Sequence, residues 1–282
     1  MKLLRYGPVG QEKPGLMDED DNIRDLSAHV GDISGDVLRP EGLEKIAALN
    51  VSDLPVVDGS PRFGACVGDI GKFMCIGLNY TDHAAESGMP VPDEPILFAK
   101  FNSAISGPND DVIMPRGSTK LDWEVEFGIV MGSKAKYIPE DQALEHVAGY
   151  CVINDVSERA YQLEGTGQWV KGKACDSFGP VGPWLVTKDE ISDPQNLRLW
   201  LEVNGTRYQD GNTSTMIFSA AHIVSYLSNL FTLYPGDVIA TGTPPGVGSG
   251  RNPPVFLQVG DKMRLGIDGL GEQKQEVVAD KP

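Results

Sequence analysis

The carboxylates of Asp122, Glu124 and Glu126, two residues apart, and of Asp155 further on are the residue types that could hold a metal. In the stretch Asp122-Trp123-Glu124-Val125-Glu126-Phe127-Gly128-Ile129, large apolar residues fall strictly at every second position, with acids at the first three positions between. Side chains two apart in a strand share a face, so Trp123, Val125, Phe127 and Ile129 form an apolar face while Asp122, Glu124 and Glu126 crowd the other. An ordinary solvated strand face would carry the same pattern. A second apolar run, Tyr150 to Ile153, ends in Asn154-Asp155. There a carboxylate either projects from a rigid strand end or caps the segment that follows. Two or three carboxylates from neighbouring strands, without His or Cys beside them, supply hard oxygen ligands suited to magnesium, manganese or calcium rather than zinc.

Proton chemistry would fall to His83. The segment Ile76 to Glu86 runs from a strand into a short helix, bringing His83 and Glu86 onto one face. A neutral imidazole oriented by a carboxylate works as a general base at neutral pH; a plain helix start capped by Thr81 or Asp82 is the alternative. His29, His146 and His222 lack a comparable setting and are read as structural. Lys100, within the apolar run Ile96 to Phe101, and Lys173, within Val170 to Asp176, need a partner, a ligand or a route to water. The loop Ala240-Thr-Gly-Thr-Pro-Pro-Gly-Val-Gly248 lacks the Gly-Lys-Ser/Thr of a nucleotide loop. It is either a tight turn or a segment whose backbone and Thr243 approach a small anion.

Strands must carry most of these residues. Apolar runs predict strands over Lys2 to Tyr6, Lys72 to Leu78, Ile96 to Phe101, Trp123 to Met131, Ala148 to Asn154, Trp184 to Thr187, Leu197 to Val203, Asp237 to Ala240 and Lys262 to Ile267. Helical spacing predicts helices over Glu41 to Leu49 and Ala220 to Leu230, and a start at Pro139 to Leu144 with Pro inside the first turn. Asn204-Gly205 between apolar runs is a two-residue hairpin signal. Strands outnumber helices without a βαβ rhythm, which predicts an α+β fold. A small N-terminal unit over residues 1–69, with a Gly/Asp turn region after its first strand, precedes the main domain over residues 70–282.

Composition narrows the function. Lys and Arg total 24 against 40 Asp and Glu, a net charge of −16, and no basic run is present. Phosphate-binding surfaces depend on clustered cations, so nucleic acid is excluded as a partner. No apolar stretch reaches the ~18 residues of a membrane span, and the start lacks a signal-peptide core, so a cytoplasmic protein off the membrane is expected. Cys66, Cys75, Cys151 and Cys175 are far apart, as for reduced thiols; a nucleophilic Cys175 beside Lys173 stays open.

Taken in order, Ile76-Gly-Leu-Asn-Tyr…His83…Glu86, the Asp122-Trp-Glu-Val-Glu126 strand, Asn154-Asp-Val-Ser157, Lys173…Asp176-Ser-Phe-Gly-Pro-Val-Gly-Pro183 and Thr241-Gly-Thr-Pro-Pro-Gly-Val-Gly248 resemble the fumarylacetoacetate hydrolase family over roughly residues 70 to 270. The likeness is greatest to its bacterial sugar-acid branch, the 2,4-diketo-3-deoxy-L-rhamnonate or L-fuconate hydrolases, whose relatives often carry the label ureidoglycolate lyase. The resemblance implies a mixed β-roll catalytic domain behind the small N-terminal one, usually in a homodimer. It implies Mg2+ or Mn2+ held by Glu124, Glu126 and Asp155, with His83 and Glu86 on a lid that orders with substrate. Lys100, Lys173 and Thr243 match substrate-contacting positions, Lys173 with a catalytic part; Arg159 and Gln162 match positions of variable role. Arg159 aligns, but the acid that follows it in many relatives is Ala160 here. The implied activity is a carbon–carbon bond hydrolase acting on a ketonic, small-molecule diketo acid. It would cleave C3–C4 of a 2,4-diketo-3-deoxy sugar acid to pyruvate and a hydroxy acid such as L-lactate. A ureidoglycolate lyase releasing urea and glyoxylate, or a non-catalytic metal-dependent binding protein, are the alternatives.

Overall fold

The large sheet arises because ten strands scattered through the chain pair side by side. A computed structural model describes residues 1–86, 88 and 90–281. In neighbour order the sheet runs Ile23–Asp25, Lys13–Met17, Lys2–Tyr6, Gly179–Thr187, Val147–Asn154, Val125–Met131, Val238–Ala240, Phe73–Gly77 and Ile96–Lys100, with Ile105–Ser106 added to Gly179–Thr187. It is mixed: Val238–Ala240 pairs antiparallel with Val125–Met131 and parallel with Phe73–Gly77. A second sheet, in the order Thr206–Asn212, Arg198–Val203, Lys262–Ile267, Gly271–Ala279 and Val112–Met114, packs against it. With the Ala220–Leu230 helix alongside, this is the α+β architecture that the strand count predicts.

The strand expected over Trp123 to Met131 is Val125–Met131, with Leu121–Asp122 a separate short strand, yet the alternation in residues 122–129 still sorts the side chains. Trp123, Val125, Phe127 and Ile129 enter the core between the sheets with Leu199, Leu201 and Leu265. Val130, with Cys151 and Ile153 from the neighbouring strand, faces a second core that includes Leu3, Leu38 and Ile46. Each fully buried apolar side chain of this kind contributes about 1.5–3 kcal/mol. The acidic face is not solvated: every residue of Val125–Met131 is buried, and Glu124 with it.

The second core and the large sheet both include residues from the first 69. Residues 1–69 extend the large sheet, Lys2–Tyr6 pairing with Gly179–Thr187, and their apolar side chains share one core with Val181, Leu185 and Val238. Both sheet and core cross the boundary expected at residue 69. The turn region expected after the first strand contains two more strands, Lys13–Met17 and Ile23–Asp25. The helix expected over Glu41 to Leu49 is Pro40–Ala47. Pro139 caps, rather than enters, a 3-10 helix at Glu140–His146. Asn204 and Gly205 both have positive φ, 51° and 79°, as the two-residue hairpin demands. Among the described residues no helix is long and apolar enough to cross a membrane.

Candidate active site

Register brings the three carboxylates together. Ile153 pairs with Glu126 and Asn154 with Val125, and the Asp155 N–H donates to the Glu124 carbonyl at 2.9 Å. Asn154 locks the junction, accepting the Glu124 N–H at 3.2 Å and donating to Gln275 at 3.1 Å. One oxygen each from Glu124, Glu126 and Asp155 then lies within 4.8 Å of the others, all buried.

Three cations balance the group unequally. Lys173 Nζ donates to Glu124 Oε2 at 2.7 Å and to Asp155 Oδ2 at 2.8 Å. Lys100 Nζ lies 2.6 Å from Asp155 Oδ1. Arg159 places Nη2 2.7 Å from Glu124 Oε1 and donates Nε to Asp122 Oδ2 at 2.8 Å. Burial raises the Glu124 carboxyl, but Lys173 and Arg159 outweigh it and hold the group down at about 2. Lys173 is pulled down by burial and more than restored by Asp155 and Glu124, so it stays protonated. Glu126 has no cation at ion-pair distance among the described residues; its Oε2 accepts the Gly242 N–H at 2.8 Å. Burial, then Asp155 and Glu124, push its carboxyl well above the usual range.

This imbalance is what a divalent cation would relieve. The donors are all oxygens, Glu126 lacks a counter-charge, and the buried Asp155 Oδ1 makes no hydrogen bond, having only its ion contact with Lys100. The set fits a hard cation.

Above the carboxylates, the Thr81–Glu86 helix sets His83 Nδ1 3.0 Å from Glu86 Oε2. A carboxylate acceptor places the ring hydrogen on Nδ1 and leaves Nε2 as the basic nitrogen. Glu86 is held in turn by the Gly246 N–H, at 3.0 and 3.1 Å from its two oxygens. Burial raises its carboxyl, yet His83 and Gly246 together bring it below the ordinary value. Gly246 needs to be glycine: its φ is +108°, and a Cβ would stand 1.9 Å from the Tyr208 carbonyl.

A cavity of about 330 Å³ joins these parts, lined by His83, Glu86, Glu124, Glu126, Arg159, Gln162, Lys173 and Thr243 among others. Asp155 lies behind the lining with no exposure. Lys100 does not reach the cavity wall, against the expectation of a substrate contact. Its Nζ donates to the Val156 and Lys173 carbonyls and keeps the ion contact with Asp155 Oδ1. Thr243 lines the cavity, but its hydroxyl donates to Val125 O and accepts from Gln209, each at 2.8 Å. Gln162 gives Oε1 to Arg159 Nη1 at 3.0 Å, leaving its NH2 for a ligand.

Four supporting residues were not singled out by sequence. Asp122, grouped with the crowded acids, clasps the Gly-rich loop through the Gly248 and Ser249 N–H groups at 2.7 and 3.0 Å. Gln209, buried, accepts the Val125 N–H. Asn154 holds Glu124 as above, and Trp169 forms part of the cavity wall. A buried amide on a strand carries no sequence signal. The Gly165-Thr-Gly-Gln-Trp169 run, an aromatic closing a glycine loop, is the one feature that could have drawn notice.

The family model for the C-terminal region of fumarylacetoacetate hydrolase matches residues 72–278. A Burkholderia lata protein described only provisionally as a hydrolase is 63% identical over 276 residues, covering 98% of each chain. The fumarylacetoacetate hydrolase of psychrophilic Exiguobacterium antarcticum superposes with a TM-score of 0.89 at 34% identity, over 99% of this chain and 100% of that one. Maleylpyruvate hydrolase from Sphingobium sp. SYK-6, solved with a manganese(II) ion and pyruvate, gives a TM-score of 0.84 at 28% identity over the full length of both.

Proposed function

Since the chain belongs to the fumarylacetoacetate hydrolase family, we propose that it hydrolyses the C3–C4 bond of a 2,4-dioxo acid. The substrate we infer is 5-hydroxy-2,4-dioxohexanoate, the 2,4-diketo-3-deoxy form of L-rhamnonate or L-fuconate, cleaved to pyruvate and lactate. One observation carries this reading: three buried carboxylates, one without a counter-charge and two of them lining a cavity, are gathered beneath an oriented histidine. Manganese and pyruvate in the Sphingobium relative support it.

Glu124, Glu126 and Asp155 would hold Mg2+ or Mn2+, which when bound supplies positive charge for the 2-oxo acid end and for the negative charge that develops there. The chain's own residues do the rest. His83 Nε2 takes a proton from the water that adds to C4, and Glu86 stabilises the resulting imidazolium through Nδ1. The C3–C4 electron pair leaves with the 2-oxo acid half, and C3 recovers the proton from His83. Lys173, with two N–H groups on carboxylates, has a third for the oxygen gathering charge. Gln162 would position the distal carbonyl or hydroxyl.

The test is pyruvate and lactate release from 5-hydroxy-2,4-dioxohexanoate by metal-stripped protein before and after adding magnesium or manganese. Release only with metal is expected. His83→Ala should keep metal affinity and lose at least about 100-fold in kcat; full activity in that variant would remove His83 as base. Glyoxylate from ureidoglycolate, with no pyruvate from the dioxo acid, would replace the reading. The proposal carries a homodimer with it, to be checked by sedimentation equilibrium.

A further inference from the structure

The cavity has two chemistries. Beside the carboxylates and the His83–Glu86 pair, its lining includes the apolar side chains of Leu78, Leu163, Trp169 and Val247. Leu163, 56% exposed, closes the short Arg159–Leu163 helix. That helix thus gives the cavity the buried Arg159 and Gln162 and, at its exposed rim, a leucine. Both cations of the lining are already matched: Lys173 by Glu124 and Asp155, Arg159 by Asp122 and Glu124. Arg251, whose guanidinium lies 5.7 Å over the Tyr208 ring, is not part of the lining. Among the described residues, the apolar wall therefore offers no cation to a second carboxylate.

Trp169 is a fixed part of that wall. Its ring meets Phe98 edge to face, with centroids 5.5 Å apart at 61°. It also lies so close over the Phe73–Gly77 strand that a Cβ on Gly77 would come within 2.3 Å of its Cζ3. Two strands of the large sheet, rather than the glycine loop before it, set where the indole stands.

We propose that Trp169 and Leu163 select the distal end of the substrate, admitting 2,4-dioxo acids that end in a small uncharged alkyl or hydroxyalkyl group and rejecting those that end in a second carboxylate. A terminal carboxylate would sit unpaired on apolar surface, near the negative Glu86 and Glu124. A terminal methyl, as in the 6-deoxy acid named above, would be covered. The inference rests on the hydrolytic reading and deepens it.

Two probes test it on the magnesium-loaded enzyme. Water and 2,4-dioxohexanoate give pyruvate and propanoate; water and 2,4-dioxoheptane-1,7-dioate give pyruvate and succinate. The expected kcat/KM favours the first by roughly 100-fold. Trp169→Ala should raise KM for 2,4-dioxohexanoate about tenfold with kcat within about twofold, and Trp169→Phe should recover most of it. Leu163→Arg, at an exposed position, should raise kcat/KM for the dioate. Equal or better use of the dioate by the unmodified enzyme overturns the inference, as does an unmoved preference in Leu163→Arg. If folded, metal-loaded enzyme cleaves neither acid, the hydrolytic reading falls. Selectivity is then decided by binding: thermal stabilisation by 2,4-dioxohexanoate but not by the dioate upholds it, and any other pattern ends it.

Discussion

Lys100 and Glu126 have opposite problems, and each makes a distinct prediction. Lys100 is a buried cation held by two backbone carbonyls and by its ion contact with Asp155. Lys100→Met strands those acceptors, and breaking such a buried set costs about 3–5 kcal/mol. The variant should unfold at lower urea and bind metal less well, whereas a mere substrate contact would leave stability alone and raise KM. Glu126 is a buried acid whose neighbours repel its charge. Glu126→Gln should leave the metal-free protein at least as stable as the unmodified one. Magnesium at 100 times its Kd should stabilise the unmodified protein by about 2.7 kcal/mol and the variant hardly at all. Thermal scans with and without metal read both, and equal stabilisation of the two would remove Glu126 from the metal site.

At the level of elements, the Gly-rich loop holds Glu86 of the Thr81–Glu86 helix through the Gly246 N–H. Gly246→Ala would put a side chain at φ +108° against the Tyr208 carbonyl, a strain of about 1–3 kcal/mol or more. It would also displace the N–H that holds Glu86. The variant should lose stability and kcat together, while Glu86→Gln should lower kcat at nearly unchanged stability; chemical denaturation beside steady-state kinetics separates them. Why some of this was legible follows from the local signals. The alternation from Asp122 to Ile129 and the apolar run to Asn154 are strand patterns complete in themselves, and they fix the two strands whose register assembles Glu124, Glu126 and Asp155. Asn204-Gly205 and Ala220–Leu230 are equally self-contained. Other elements depend on distant partners. Gly179–Thr187 begins Gly-Pro-Val-Gly-Pro, and Lys13–Met17 contains Pro-Gly; such residues disfavour strands until neighbouring strands bury them. Gly271–Ala279 alternates buried and exposed positions, but its buried face is Gln273, Gln275 and Val277, so no apolar alternation marks it in the sequence. The burial of the acidic face was hidden for the same reason: nothing near Glu124 in sequence announces Lys173 or Arg159.

Across the whole molecule, the first 69 residues are joined to the rest by charge as well as by sheet. Arg62 donates to Asp110 at 2.6 Å and to Glu12 at 2.9 Å, and Arg5 stands 3.7 Å from Glu12. Burial raises the Glu12 carboxyl, but Arg62, its own backbone N–H and Arg5 bring it below its ordinary 4.5. The sign is that of a depressed acid: its stabilising effect is complete above about pH 4.5 and fades as pH falls through the lower folded value. Glu12→Gln should therefore cost at most about 1 kcal/mol at neutral pH, discounted for solvent screening, and progressively less in acid; urea titrations across that range show the convergence. The pairing of Lys2–Tyr6 with Gly179–Thr187 bears on how the protein is made. On the ribosome the hairpin of Lys2–Tyr6 and Lys13–Met17 emerges long before the strand that closes its edge. Until then its free N–H and C=O groups are open to any other nascent chain. Slow codons before Thr187 prolong that exposure and slow codons after it do not, so soluble yield should follow the tempo of the earlier part of the message.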